Sequence, residues 1–392
     1  ALKAKGEIVV VTGSGPNIHE GVTTLLAELI SKGLVHGVIT SSAVVAHEMA
    51  GALDRVKRID GRALGLASEL LPKGGLFELT LLSDSEVELV AEEVPVDRSL
   101  VTRMQGMPGE EIIKAAGNMG YPMGLRTERL AIEVESLART HGLSFEQVAG
   151  LGADPRTMIG ATAEMGCPLL VSVPQLIGGG MVGLCIADST SIRRRSDGIA
   201  QMLSRASVII ESGVALTQEI HDGPFETHTG HGIWTEWEGG RTYSLEGKTL
   251  VRIDLDENLQ RVWELERAGG EVQQSIDKGL PKTKTFKVPF RMEMSGFARL
   301  EGSIPVVCDL GVAWPIIAAR VAGALGIGLD FVSYPQETRE GKAMRDWIVD
   351  NVAPVSRERM YAGLRRLLAE APPQAGGPAM SEGSGRKRGA SK

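Results

Sequence analysis

The sequence predicts an α/β protein with a doubly wound, mostly parallel Rossmann-like sheet and helices on both faces. Three observations predict it. Short, fully apolar runs rich in β-branched residues recur along the chain, as in strands buried on both faces. Segments with helical spacing stand between them, long enough to carry the chain from one parallel strand to the next. Aromatic residues are only 4% of the 392. Ala, Val, Leu, Ile and Met must then fill the core, which suits helices laid on parallel strands.

The elements follow in order. Residues 8–12, "IVVVT", read as the first buried strand; "GSGPN" turns the chain, and residues 22–31, "VTTLLAELIS", have helical spacing. "VHGVITSSA" is a second buried strand that ends in small polar residues and completes a β-loop-α-β unit. "CPLLVSVPQ" follows the helix "PRTMIGATAEMG", and "ASVIIESG" follows the helix "SDGIAQMLSR". "TLVRIDLD" is the next strand, and "IPVVCDLG" the last, before the apolar helix "VAWPIIAARVAGALG". About six strands with helical crossovers result.

Two segments break the rhythm. Residues 76–103 are acidic, with the alternating runs "LFELTLL" and "VELVAEEVPV", and read as an excursion. Residues 282–300, "KTKTFKVPFRMEMSGFARL", read as an exposed hairpin or arm. From residue 372 onward Pro, Gly, Ser and Lys dominate, which predicts a disordered tail. Residues 1–371 then form a single domain.

Bulk properties exclude several classes. The net charge of −7 and the lack of a long basic run before the tail argue against a nucleic-acid partner. "RRR" at 193–195 is the one dense basic spot, read as a solvated helix face or else as an anion or intersubunit contact. Cys167, Cys185 and Cys308 lack CxxC spacing and sit in or beside apolar runs, so buried reduced thiols are expected. No uninterrupted apolar run is long enough to span a membrane, and no leader precedes the first strand-like run, so a cytoplasmic protein without a membrane partner is expected.

Ligands of open parallel sheets lie beyond the carboxyl ends of the strands. The first strand ends in Thr12, Gly13, Ser14, Gly15, Pro16 and Asn17, where glycines let backbone N–H groups approach an anion. Gly13 and Gly15 fit the dinucleotide fingerprint, but Ile18 stands where its third glycine belongs. Thr40, Ser41 and Ser42 end the second strand, with hydroxyls for ribose or phosphate oxygens or for capping the next helix. His47 and Glu48 follow within two turns as candidate substrate contacts. Residues 178–180, "GGG", offer close backbone approach through Gly179. Glu211, Ser212 and Asp309 lie at further strand ends, where a carboxylate binds ribose hydroxyls or a cationic substrate.

The stretch "HDGPFETHTGHGIW", residues 221–234, follows one of these ends closely. His228 and His231 have a spacing that metal loops use, and His221 and Asp222 would complete a set. Acid/base or substrate contact, a metal site and a plain surface loop all remain open. Trp234 serves as a lid wall, a core cap or an interface residue.

These residues resemble the deoxyhypusine synthase-like family, which includes NAD-dependent ornithine cyclodeaminases of the arginine dihydrolase type. Four runs in the family's order carry the resemblance: "GSGPNIHEGVTTLLAELISKGLVHGVITSSAVVAHE", "CPLLVSVPQLIGGGMVG", "SVIIESGVALTQEIHDG" and "IPVVCDLGVAWPIIAARVA". The resemblance implies a resident NAD contacted by Ser14, Gly15, Asn17, Thr40, Ser41, Ser42, Gly179, Ser212, Gly213 and Asp309. It also implies an active site between subunits, hence a homodimer or homotetramer. The family's imine-forming lysine is absent; Thr217, Gln218 and Glu219 stand there instead, so the chain is not expected to be a deoxyhypusine synthase.

The expected function is NAD-dependent oxidation of a small amine, amino acid or related substrate, followed by elimination, transfer or cyclisation. His221, His228 or His231 would be the base. Glu219 and Asp222 would orient it, and His47, Glu48, Glu211 and Trp234 would hold the substrate. One alternative is a metal-assisted hydrolase or lyase built on the 221–231 loop. The other is a non-catalytic nucleotide-binding protein.

Overall fold

The computed structural model describes residues 6–13, 15–118, 121–173, 176–213, 243–280, 287 and 300–370. The chain enters through strand β1 (Glu7–Thr12), the one-turn helix α1 (Pro16–His19) and helix α2 (Val22–Ser31). Strand β2 (Gly37–Ser41) and helix α3 (Ser42–Met49) follow. Val9, Val10 and Val11 are fully buried, as are Val38 and Ile39, because both strands are covered on both faces.

An excursion comes next, and it is longer than the sequence suggested. Strands β3 (Leu53–Asp60), β4 (Leu76–Thr80) and β5 (Glu110–Ala115) form a small antiparallel sheet in the order β4-β3-β5. Helices α4 (Asp84–Ala91) and α5 (Arg98–Gly106) lie between β4 and β5. The first half of the alternating run "VELVAEEVPV" is in α4, started by a capping box in which Ser83 and Glu86 bond each other's backbone.

Helices α6 (Pro122–His141), α7 (Phe145–Gly152) and α8 (Met158–Met165) lead back to β6 (Leu169–Val173). Helices α9 (Leu176–Ser189) and α10 (Ile192–Arg205) and strand β7 (Ala206–Ser212) follow. Beyond residue 243 come β8 (Thr249–Asp254), α11 (Asn258–Ala268), α12 (Gly270–Asp277), β9 (Ser303–Val307), α13 (Leu310–Leu325), α14 (Arg339–Asn351) and α15 (Arg357–Glu370). The expected arm at 282–300 and the tail from 372 fall almost wholly outside the described residues.

The main sheet has the order β6-β2-β1-β7-β8-β9, and every pairing in it is parallel. Counting only its own strands along the chain, that order is 3-2-1-4-5-6. The protein is thus a doubly wound, Rossmann-like α/β fold whose strand order reverses between β1 and β7. Alternation along each strand splits the core in two. Val10, Val38, Ile210 and Ile253 face the large cluster built with α2, α3 and α13. Val9, Val11, Ile39, Ile209 and Leu250 face the smaller cluster with Met202 and Leu203 of α10.

Candidate functional site

The reversal point fixes where to look. Connections leave β1 and β7 in opposite directions, which opens a crevice above their carboxyl ends. Thr12 pairs with Ser212 there, and Thr40 lies beside Thr12 on β2. Three glycines, Gly13, Gly15 and Gly213, line the crest. Gly15 has φ +41° and Gly213 φ +98°, and a Cβ on either would meet no atom of the described residues within 4 Å. Space beside both positions is therefore open to a ligand's approach, although the Gly213 N–H already donates to the Ile253 carbonyl at 2.8 Å. Ser14 lies outside the described residues.

One face of the crevice is closed by a buried polar lock. Asn17 Nδ2 donates to the Ser212 carbonyl at 3.1 Å, Ser212 Oγ donates to Asn17 Oδ1, and Trp314 Nε1 donates to Ser212 Oγ at 2.8 Å. All three side chains are buried. The structure thus brings Asn17 and Ser212 together as expected for one site, but their side chains serve each other. They tie α1, β7 and α13 into one rigid frame around the glycine turn. Trp314 was missed; its only sequence signal was a lone indole in an apolar helix.

The other face carries charge. Alternation places Glu211, Arg252 and Ser41 toward α10, with Ile209, Leu250 and Ile39. Arg252 Nε donates to Glu211 Oε2 at 2.8 Å across paired positions of β7 and β8. Burial raises the Glu211 carboxyl above its ordinary value while Arg252 pulls it down. Glu211 Oε1 and Ser41 Oγ are both buried and have no hydrogen-bond partner among the described residues. Ser41 is the N-cap of α3, yet its side chain caps nothing. Arg252 was also missed, although a cation in the middle of "VRIDL" was the available signal.

The remaining expected residues are placed as follows. Thr40 Oγ1 donates to the Thr12 carbonyl at 2.9 Å. Ser42 is buried against α9, where a Cβ on Gly179 would meet Ser42 Oγ at 2.3 Å. Gly179 is therefore a close-packing glycine inside a helix, not a glycine of an open strand-end loop. Asp309 caps α13, its Oδ1 accepting from Gly311 N–H at 2.7 Å. Glu20 lies near it, with its carboxylate held by Gln336 through N–H at 2.8 Å and Nε2 at 2.7 Å. Burial lowers His19 to about 4, helped by the Arg345 guanidinium.

His47 and Glu48 have other partners than a ligand. His47 Nδ1 lies 2.5 Å from the Ala116 carbonyl. Glu48 is fully buried and accepts from the N–H groups of Met158 at 2.9 Å and Ile159 at 3.0 Å. It completes the N-terminus of α8 and offers no surface to a substrate. Glu219, His221, Asp222, His228, His231 and Trp234 lie outside the described residues.

The basic spot at 193–195 is only partly solvated. Arg195 is buried rather than solvated: it pairs with Glu146 and donates to the carbonyls of Val171 at 3.1 Å and Ile186 at 3.0 Å. All three cysteines are free thiols, and burial pushes Cys167 and Cys185 up to about 12. Among the described residues no helix is long and apolar enough to cross a membrane, and no group of three or more His, Cys, Asp or Glu is placed to hold a metal.

No protein-family model matches the chain, and no curated protein matches it. Solved structures do. An LOR/SDH protein from Methanococcus maripaludis S2 is 12% identical, with a TM-score of 0.38, over 83% of this chain and 64% of that one. ArgZ, an arginine dihydrolase from the ornithine-ammonia cycle in cyanobacteria, is 12% identical with a TM-score of 0.34, over 82% of this chain and 30% of that one. AgrE, in a ternary complex with ornithine and NAD+, is 14% identical with a TM-score of 0.40, over 83% of this chain and 31% of that one. The chain thus spans less than two thirds of each of these proteins.

Proposed function

We propose that the protein is an enzyme that binds NAD across the crest between β1 and β7 and acts on a small amine, amino acid or related compound. The observation that carries this is the strand order: the sheet reverses at β1 and β7, and the glycine turn with its open backbone stands at that reversal. The residues present fit the group. The open backbone at Gly15 suits a pyrophosphate, and the Ser41 hydroxyl, without a partner among the described residues, suits a phosphate or ribose oxygen. Glu211 Oε1, buried and without a hydrogen-bond partner among the described residues, suits a ribose hydroxyl or a substrate ammonium.

Bound NAD supplies a hydride acceptor for the substrate carbon. The chain's own part is to orient that carbon and move a proton. We assign the proton to His221, His228 or His231, with Glu219 and Asp222 orienting the base. Elimination, transfer or cyclisation follows; transfer through a lysine imine is left out, because Thr217 to Glu219 provide no lysine. Assembly as a dimer or tetramer belongs to the same proposal.

The test is a calorimetric titration of the purified protein with NAD+, beside a Gly15→Val variant. Wild type binds, and the variant loses at least about tenfold in affinity because its side chain fills the space a phosphate needs. The positive φ at Gly15, which a valine rarely adopts, also costs the variant roughly 1–3 kcal/mol of stability, so both proteins are titrated well below their melting temperatures. Unchanged affinity in a folded variant would sink the proposal.

A further inference from the structure

Helices α6 and α9 pack side by side and run in the same direction. Three contacts align them. Glu128 Oε1 accepts from the Met181 N–H at 3.3 Å, Glu135 lies beside Cys185, and Arg194 Nη2 donates to the Gly142 carbonyl at 2.9 Å. Ile132 of α6 is therefore level with Leu184 of α9, and the start of α10 is level with the end of α6.

The outer face of this pair is apolar. Leu125 and Ile132 of α6, Met181 and Leu184 of α9, and Ile192 at the start of α10 are all exposed. Ile132 is 49% exposed, Leu184 46% and Ile192 87%. Leu125 and Ile132 stand two turns apart on one side of α6, and the whole group spans ~20 Å along that helix. Large apolar side chains scattered singly over a surface need no explanation, but a contiguous group of them marks an interaction surface.

Charge identifies the partner that fits. Arg129 is exposed towards the start of the patch. Asp188 is exposed towards its end, beside the ion pair of Glu135 and Arg139 at 3.2 Å. In a face that meets itself about a twofold axis, whatever one copy presents the other receives in reverse order. Take an axis that crosses both helices at the level of Ile132 and Leu184. Arg129, about one turn before the axis, then comes level with Glu135 and Asp188 of the second copy, about one turn beyond it. Leu125 comes level with Ile192 of the second copy, and Ile132 meets its own equivalent. The result is an apolar centre with opposite charges at its rim, the usual anatomy of an interface.

We propose that a second copy of this chain docks on the α6–α9 face about that twofold axis. This rests on the assembly included in the proposed function, and gives that assembly a surface.

The test uses the axis itself. The full chain is run by sedimentation velocity beside Ile132→Glu, Ile132→Lys and an equimolar mixture of the two variants. Ile132 is exposed, so both variants should fold, which circular dichroism checks. Wild type is expected as a dimer or a larger even assembly. Each variant alone sets like charges on the axis, dissociates at least about tenfold more readily and falls to half the wild-type mass. The mixture pairs opposite charges there and recovers that mass. A wild-type monomer at micromolar concentration overturns this surface and the assembly together, while NAD+ binding by the monomer would leave the crest reading standing. A wild-type oligomer that both variants retain overturns this surface alone. Variants that stay at half mass when mixed overturn the twofold arrangement.

Discussion

Glu48 shows what a single buried carboxylate does. It joins α3 to the start of α8, with both oxygens on backbone N–H groups. Burial nevertheless raises its carboxyl from 4.5 to about 7. The folded chain therefore keeps a proton that the unfolded chain has released between those values, and stability falls as pH rises through that window. The loss by pH above 7 is roughly 3 kcal/mol. Glu48→Gln leaves one N–H of α8 without an acceptor, at about 1 kcal/mol, but has nothing to ionise. Denaturant unfolding should find the variant less stable than wild type near about pH 5, with the gap closing or reversing near about pH 8. A gap that widens with pH would show that Glu48 is ionised in the fold. At this scale the sequence was least legible. A glutamate in an apolar helix reads as a ligand contact because its true partner lies 110 residues away. The indole at Trp314 reads as core for the same reason, its acceptor Ser212 being 102 residues distant.

Elements were read better, because their signals are local. The helix at 22–31 matches α2 at both ends, and the run "ASVIIESG" contains β7 and overruns it by one residue. Misreadings fell where two elements share one pattern. "GGG" at 178–180 reads as a loop, but α9 holds it as helix because only a residue without a side chain lets it close on Ser42. The charged strand β3, "LDRVKRID", was passed over because the start of the excursion lacks an apolar run. How β6 ends the sheet was not readable either. Its outer edge is stopped by Glu146 and Arg195, which bond the N–H and carbonyl of Val171. Pairing with another chain's strand is thereby blocked. Arg195→Met leaves the Glu146 carboxylate buried without its cation and should cost roughly 4 kcal/mol in denaturant unfolding. Adding Glu146→Gln should recover more than half of that, since the buried charge is then gone. Additive losses in the double variant would show that the pair does not act as a unit.

For the whole molecule, the number of parallel strands was legible but their order was not, since parallel pairing joins residues far apart and leaves no local mark. The order is what places the crest, and it also shows how the excursion is hung on the fold. Leu53 pairs with Ala115, and Ala116 N–H donates to the Ala52 carbonyl at 2.9 Å. The small sheet therefore leaves and re-enters the main body at a single point, and no strand of it joins the main sheet. Its removal leaves the pairing of β1 with β7 in place, but takes the Ile113 carbonyl from Arg345 and the Arg55 partner from Asp346 of α14. It does expose Met123 and Ala116, which pack with Leu82, Val87 and Val90 of the excursion. Replacing residues 54–114 by a short glycine turn should then lower the melting temperature by several degrees, as expected for a loss of about 1–2 kcal/mol of packing. NAD+ affinity, measured by the same titration as for the full chain, should stay within about threefold. A larger loss in a variant whose circular dichroism still reports the parallel core would mean that the excursion forms part of the nucleotide site, and that the crest between β1 and β7 is not sufficient for binding.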